Sequence, residues 1–248
     1  KYKILLNLSF ISGILFLVLS SLAMFFYSGG SMINNPKNPM YDTSNNGYSH
    51  IYNFFSDLGL HTSWSSEPNS TSLILFSFAI FFVAIELIAF YYAFHYLLKK
   101  NKNLIIVSNF GFFMALISAM GFIMVALFPS DTMFIYHMFA VNLAFQSFLL
   151  VMLIYSYAIF KSSYISNHLA ISYFTLFCLV GYYVYLLLFG PKLPTIPYSS
   201  PEFYLNIPSE GHLLFHVVSQ KFVIYGVIFC TLWQLIELSK KKYVNLIE

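Results

Sequence analysis

"SLILFSFAIFFVAIELIAFYYAFHYLLKK", Ser72 to Lys100, decides the fold. Between Leu73 and Leu98 it holds a single carboxylate, Glu86, and a single histidine, His95, and it closes on Lys99 and Lys100. About 20 predominantly apolar residues in a helix cross a hydrocarbon core ~30 Å thick, so this run reads as a transmembrane helix. Barrel strands are short and alternate in polarity; this stretch is long and continuously apolar. Five more runs share its character. Together they predict an all-α polytopic membrane helix bundle. Its six transmembrane helices lie at about 4–27, 71–98, 103–128, 133–160, 166–190 and 211–238, in one domain over 1–248.

Composition agrees. Of the 248 residues, 59% are hydrophobic and 8% charged, where a soluble domain carries about 25% charged residues. The net charge of +3 is small and dispersed, which argues against nucleic acid and leaves membrane lipids as the expected surroundings. Cys178 and Cys230 both sit inside apolar runs and read as small core hydrophobes. The first run is too long for a signal-peptide core and is read as a retained helix. The sequence begins at Lys1 without Met, so a few residues are expected to precede it.

Lysines orient the bundle. Lys1, Lys3, Lys99, Lys100, Lys102, Lys161, Lys240, Lys241 and Lys242 all fall on one side of a six-span arrangement, and the opposite loops hold only Lys37 and Lys192. The positive-inside rule then predicts both termini in the cytoplasm, with loops 28–70 and 191–210 outside the cell membrane. Loops of that length usually do something or are disordered. Asn69-Ser70-Thr71 is a glycosylation sequon on the predicted outer side.

The polar groups gather at that outer face. Ser56, Asp57 and His61 precede helix 2, Asp131 and His137 start helix 4, and Glu210, His212 and His216 start helix 6. His212 and His216 stand i, i+4 and so share a helix face. Two such nitrogens plus a third ligand, His61 or His137, would make an open zinc-type site. Asp57 or Asp131 would activate water there, and Ser56 would help to position it. The plainer reading is structural: Ser130, Asp131, Thr132 and Ser209 are natural helix caps. Interfacial histidines, for their part, often bond a loop carbonyl. Glu86 and Lys221 lie deeper, where a charge costs roughly 2.5–3.5 kcal/mol. They are expected to pair with each other, or Lys221 to reach outward to Asp57 or Asp131.

"NFFSDLG" (53–59), "ALFPSDTMFIYHMFAVNLAF" (126–145) and "SQKFVIYGVIFCTLW" (219–233) carry a resemblance. The chain resembles an uncharacterised prokaryotic multi-spanning family, domain of unknown function 998, and is distantly similar to the Frag1/DRAM/Sfk1 membrane proteins. The matching positions are Ser56, Asp57, Leu58, Gly59, Phe128, Pro129, His137, Gln220 and Lys221. The resemblance implies this architecture and names no reaction. A weaker similarity, through His212 and His216, is to membrane hydrolases of the alkaline-ceramidase and adiponectin-receptor type, which have seven spans and a zinc.

Two classes of function follow. One is a metal-assisted hydrolase or transferase acting on a lipid-like substrate in an outward-facing histidine pocket. The other is a non-catalytic subunit or anchor of a membrane-protein complex, binding partners through its outer loops. A haem-binding redox subunit, with His137 and His216 as axial ligands, is a variant of the second. For transport, the sequence lacks evident inverted repeats.

Overall fold

The computed structural model describes residues 1–33, 47–99, 101–190 and 209–247. Most of the 191–210 loop, with Lys192, and also Lys37 and Lys100, lie outside the described residues. The described residues form helices α1 (Tyr2–Phe25), α2 (Ser70–Leu98), α3 (Ile105–Leu127), α4 (Phe134–Lys161), α5 (Asn167–Phe189), α6 (Glu210–Leu238) and α7 (Lys241–Ile247). A 3-10 turn, Phe55–Gly59, precedes α2. No strand is found among them; Thr62 and Pro68 make an isolated bridge. The first six helices are long and apolar enough to cross a membrane, as expected of a multi-pass membrane protein. Their ends fall within a few residues of the predicted ones. The short α7 was not anticipated.

Large apolar side chains cover the outside of the bundle: Phe25, Ile106, Ile135 and Phe189 are each more than 70% exposed. In water such a surface would drive aggregation; against lipid tails it is the matching one. With lipid outside, helices gain by close approach of small residues. At the α3–α4 crossing, a Cβ on Gly121 would lie 2.6 Å from the Ala144 backbone nitrogen, and Ser118 Oγ donates to the Ala144 carbonyl at 3.0 Å. Gly121→Ala is therefore expected to push the two helices apart and cost about 1–3 kcal/mol, read as a lower melting temperature in detergent.

Each helix packs on the next in the chain, and α6 returns to α1. The result is a closed ring of six antiparallel staves. At one end Tyr2 Oη donates to the Leu238 carbonyl at 3.0 Å, tying the first stave to the last. Tyr91, Phe94, Tyr155 and Tyr173 fill that end with ring contacts of 4.9 to 6.0 Å. A second apolar cluster at the opposite end is built from Phe16, Phe55, Leu58, Leu60, Trp64 and Phe76. Four of these six, Phe55, Leu58, Leu60 and Trp64, come from the connection before α2, so that connection is a plug seated in the ring.

Candidate functional site

The plug starts at Asn53. This side chain is fully buried and answers three strands of loop at once. Its Oδ1 accepts from the Ser49 N–H at 2.9 Å, and its Nδ2 donates to the Gly30 carbonyl at 2.9 Å and to Asp57 Oδ2 at 3.0 Å. Gly30 has φ +75°, and a Cβ there would lie 2.4 Å from the Ser65 nitrogen, so the loop passes where only glycine fits. Asp57 Oδ2 also accepts from the Phe54 N–H at 3.0 Å, which winds the turn Phe55–Gly59. Burial pushes the Asp57 carboxyl up to about 6, against the lowering pull of Asn53, Trp64, Lys221 and the Phe54 N–H.

From α6, two neighbours reach into the plug. Gln220 Oε1 accepts from the Phe55 N–H at 2.7 Å, and its Nε2 donates to Tyr183 Oη at 3.2 Å. Lys221 is buried. Its Nζ donates to the Asn53 carbonyl and, at 3.3 Å, to the His50 carbonyl, and it lies 5.0 Å from the centre of the Tyr48 ring. Lys221 reaches main-chain carbonyls of the loop, and forms no ion pair with Asp57 or Asp131 among the described residues. Glu86 and Lys221 form no ion pair among the described residues.

The other side of the plug hangs on Asn69 and Asp131. Asn69 Nδ2 donates to the Leu58 and Leu60 carbonyls at 3.2 and 2.9 Å, and Ser72 Oγ donates to Leu58 at 3.0 Å. Asn69 is 1% exposed. Its amide is engaged inside the fold, so the sequon lends no support to glycosylation. Asn69→Ala would take the donor from the Leu60 carbonyl and leave Leu58 with Ser72 alone, and is expected to cost about 1–3 kcal/mol, seen as a drop in melting temperature. Asp131 Oδ2 accepts from the His61 and Thr62 N–H groups at 2.9 and 3.1 Å. It latches the loop, while Met133, without a side-chain bond, holds the cap position of α4. Ser209 sits at the cap of α6 and likewise makes no capping bond.

The histidines do not converge. The His61 ring is exposed, with Nδ1 3.5 Å from Asp131 Oδ1. His137 is buried and its Nδ1 bonds the Phe128 carbonyl at 2.7 Å. His212 is exposed, while His216, one turn on, is buried beside Phe215. Among the described residues, no three His, Cys, Asp or Glu side chains group closely enough to hold a metal ion. The proposed set His61, His137, His212 and His216, with Asp57 and Asp131 as bases, does not come together as a metal-holding group among the described residues. The shared face of an i, i+4 pair was too coarse a criterion, because within α6 His212 is exposed and His216 is buried.

Beneath the plug lies a cavity of about 120 Å³, inside the ring. Ser56, Phe55 and Gln220 line it at the plug end and Thr231 at the far end. On α2 its wall runs from Phe76 to Tyr91, roughly 22 Å at ~1.5 Å per residue. It is almost wholly apolar, and Glu86 is the acid on its wall. A Cβ on Gly13 of α1 would lie 3.1 Å from Glu86 Oε1, so the glycine makes room for this carboxyl. Sequence reasoning found Glu86, Ser56 and Lys221. It missed Asn53 and Asn69, whose only signal was an amide where a buried loop needs its backbone groups satisfied. No family model matches the sequence, and no curated protein or solved structure is significantly similar to it.

Proposed function

We propose that this protein binds one lipid-like molecule within the membrane, in the cavity lined by five of its six long helices. The observation that carries the reading is the cavity itself: long, apolar, walled by all the staves of a closed ring except α5, and stoppered by a hydrogen-bonded plug. Ligand sites are concave and mainly apolar, with a few placed polar groups. Here those groups are Ser56 and Gln220 at one end and Glu86 on the wall. A length of roughly 22 Å exceeds the ~15 Å taken by one leaflet of a ~30 Å core, enough for one extended chain.

The lysine distribution sets the orientation in this proposal. Both termini face the cytoplasm of a cell membrane, and the plug faces outward. The ligand then enters from the outer leaflet, between helices or past the plug. Binding without metal chemistry is favoured over hydrolysis or transfer, because the candidate ligands stand on separate partners. The resemblance to the domain of unknown function 998 family is compatible with this reading, since its motif residues Ser56, Asp57, Gln220 and Lys221 are those that build the plug.

Filling the cavity tests this. Protein purified in mild detergent is expected to carry about one tightly held apolar molecule per chain, extractable into organic solvent and identified by mass spectrometry. Val227→Trp, on the cavity wall, is expected to lose it while the fold persists. An equal amount of retained lipid in both proteins would remove the proposal.

A further inference from the structure

We infer that the preferred occupant of the cavity is a lipophilic cation, with the Glu86 carboxylate as its counter-charge. This rests on the reading of the cavity as a ligand site and adds the chemical class of the ligand.

Three observations converge. First, Glu86 stands on the cavity wall near the middle of α2, and it makes no hydrogen bond or ion pair among the described residues. An acid at that depth normally faces the interior and has a partner. The nearest element, α1, offers it Gly13, which has no side chain to give. Second, among the described residues no basic side chain lines the cavity. Lys221, the cation buried in this bundle, is turned away and spent on the carbonyls of His50 and Asn53. Third, the walls are aromatic: Phe16, Phe55, Phe76, Phe90, Phe122 and Phe145 all face the space. Ring faces carry negative potential and attract a cation, most strongly where water is excluded. An anion would meet both the carboxylate and those faces. An uncharged apolar molecule would fill the volume and leave the Glu86 oxygens without a polar partner. A delocalised or alkylated cation satisfies both features of the wall.

The test uses the full chain in lipid nanodiscs, with empty nanodiscs as the partition control. The probes are radiolabelled tetraphenylphosphonium and its uncharged isostere tetraphenylsilane, each measured on the wild type, Glu86→Gln and Val227→Trp. The expected result has three parts. The cation binds at about one per chain, Glu86→Gln weakens it by about tenfold or more, and the isostere binds more weakly and equally to both. Equal isostere binding also shows that Glu86→Gln has kept its cavity. If cation and isostere bind alike and Glu86→Gln changes neither, the cation inference is overturned and the cavity remains a ligand site. If neither probe binds above the control, or Val227→Trp leaves binding intact, the cavity reading falls and the inference with it.

Discussion

Lys221→Met is expected to lower the stability of this protein by about 1–3 kcal/mol, the usual cost of leaving buried polar groups without their hydrogen-bond partner. Methionine keeps the length and apolar stem of the side chain, so packing changes little. What is lost is the ammonium group. The Asn53 and His50 carbonyls lose their shared donor, and the buried Asp57 loses the cation that favours its charged form. The loss is expected in two readouts: a lower melting temperature in nanodiscs, and faster proteolytic nicking within 47–66, where the plug loosens first. A double-mutant cycle with Asp57→Asn sharpens the prediction. Once Asp57 is neutral, removing Lys221 strands less charge, so the double variant is expected to be less destabilised than the two single losses summed. Additive losses would show that lysine and aspartate act independently.

The second large effect is on pH. In the unfolded chain Asp57 titrates near 3.8, and in the folded protein burial pushes it up to about 6. Between those values the folded state holds more proton than the unfolded one. The contribution of this group is therefore fully present below pH ~4 and is lost as pH rises through about 6. The difference, 3.8 against about 6, corresponds to ~3 kcal/mol. Asp57→Asn fixes the neutral form and is expected to flatten this dependence. The quantity to measure is the difference between the wild-type and Asp57→Asn melting curves across pH 4 to 7, which cancels the other titrating groups. A wild type that gains stability relative to Asp57→Asn as pH rises would reverse the sign and refute the assignment.

The two variants also explain what the sequence could and could not disclose. Helix positions were readable because a bilayer demands long apolar runs and little else, and Ser72 to Lys100 meets that demand plainly. Lys221 was readable as a group that must find company, since depth alone makes a bare ammonium costly. Its company turned out to be main-chain oxygens, which no side-chain pattern announces. The histidines misled for a related reason. Their placement near one end of the bundle says that they are close in depth. It says nothing about azimuth, and His61, His137 and His216 each settled on a local partner or packing site. The cavity was invisible because it belongs to no segment. It appears only when five staves and a folded connection are assembled around it.

That assembly has a temporal side. The ring is closed by α6 returning to α1, and its seam is fastened by the Tyr2 hydroxyl on the Leu238 carbonyl, residues from opposite ends of the chain. Helices leave the ribosome in order, so α1 waits in the bilayer until the last stave is made. Through most of synthesis the growing bundle is an open trough. Its aromatic floor and Glu86 face the lipid, and Lys221, the fastener of the plug, has yet to be translated.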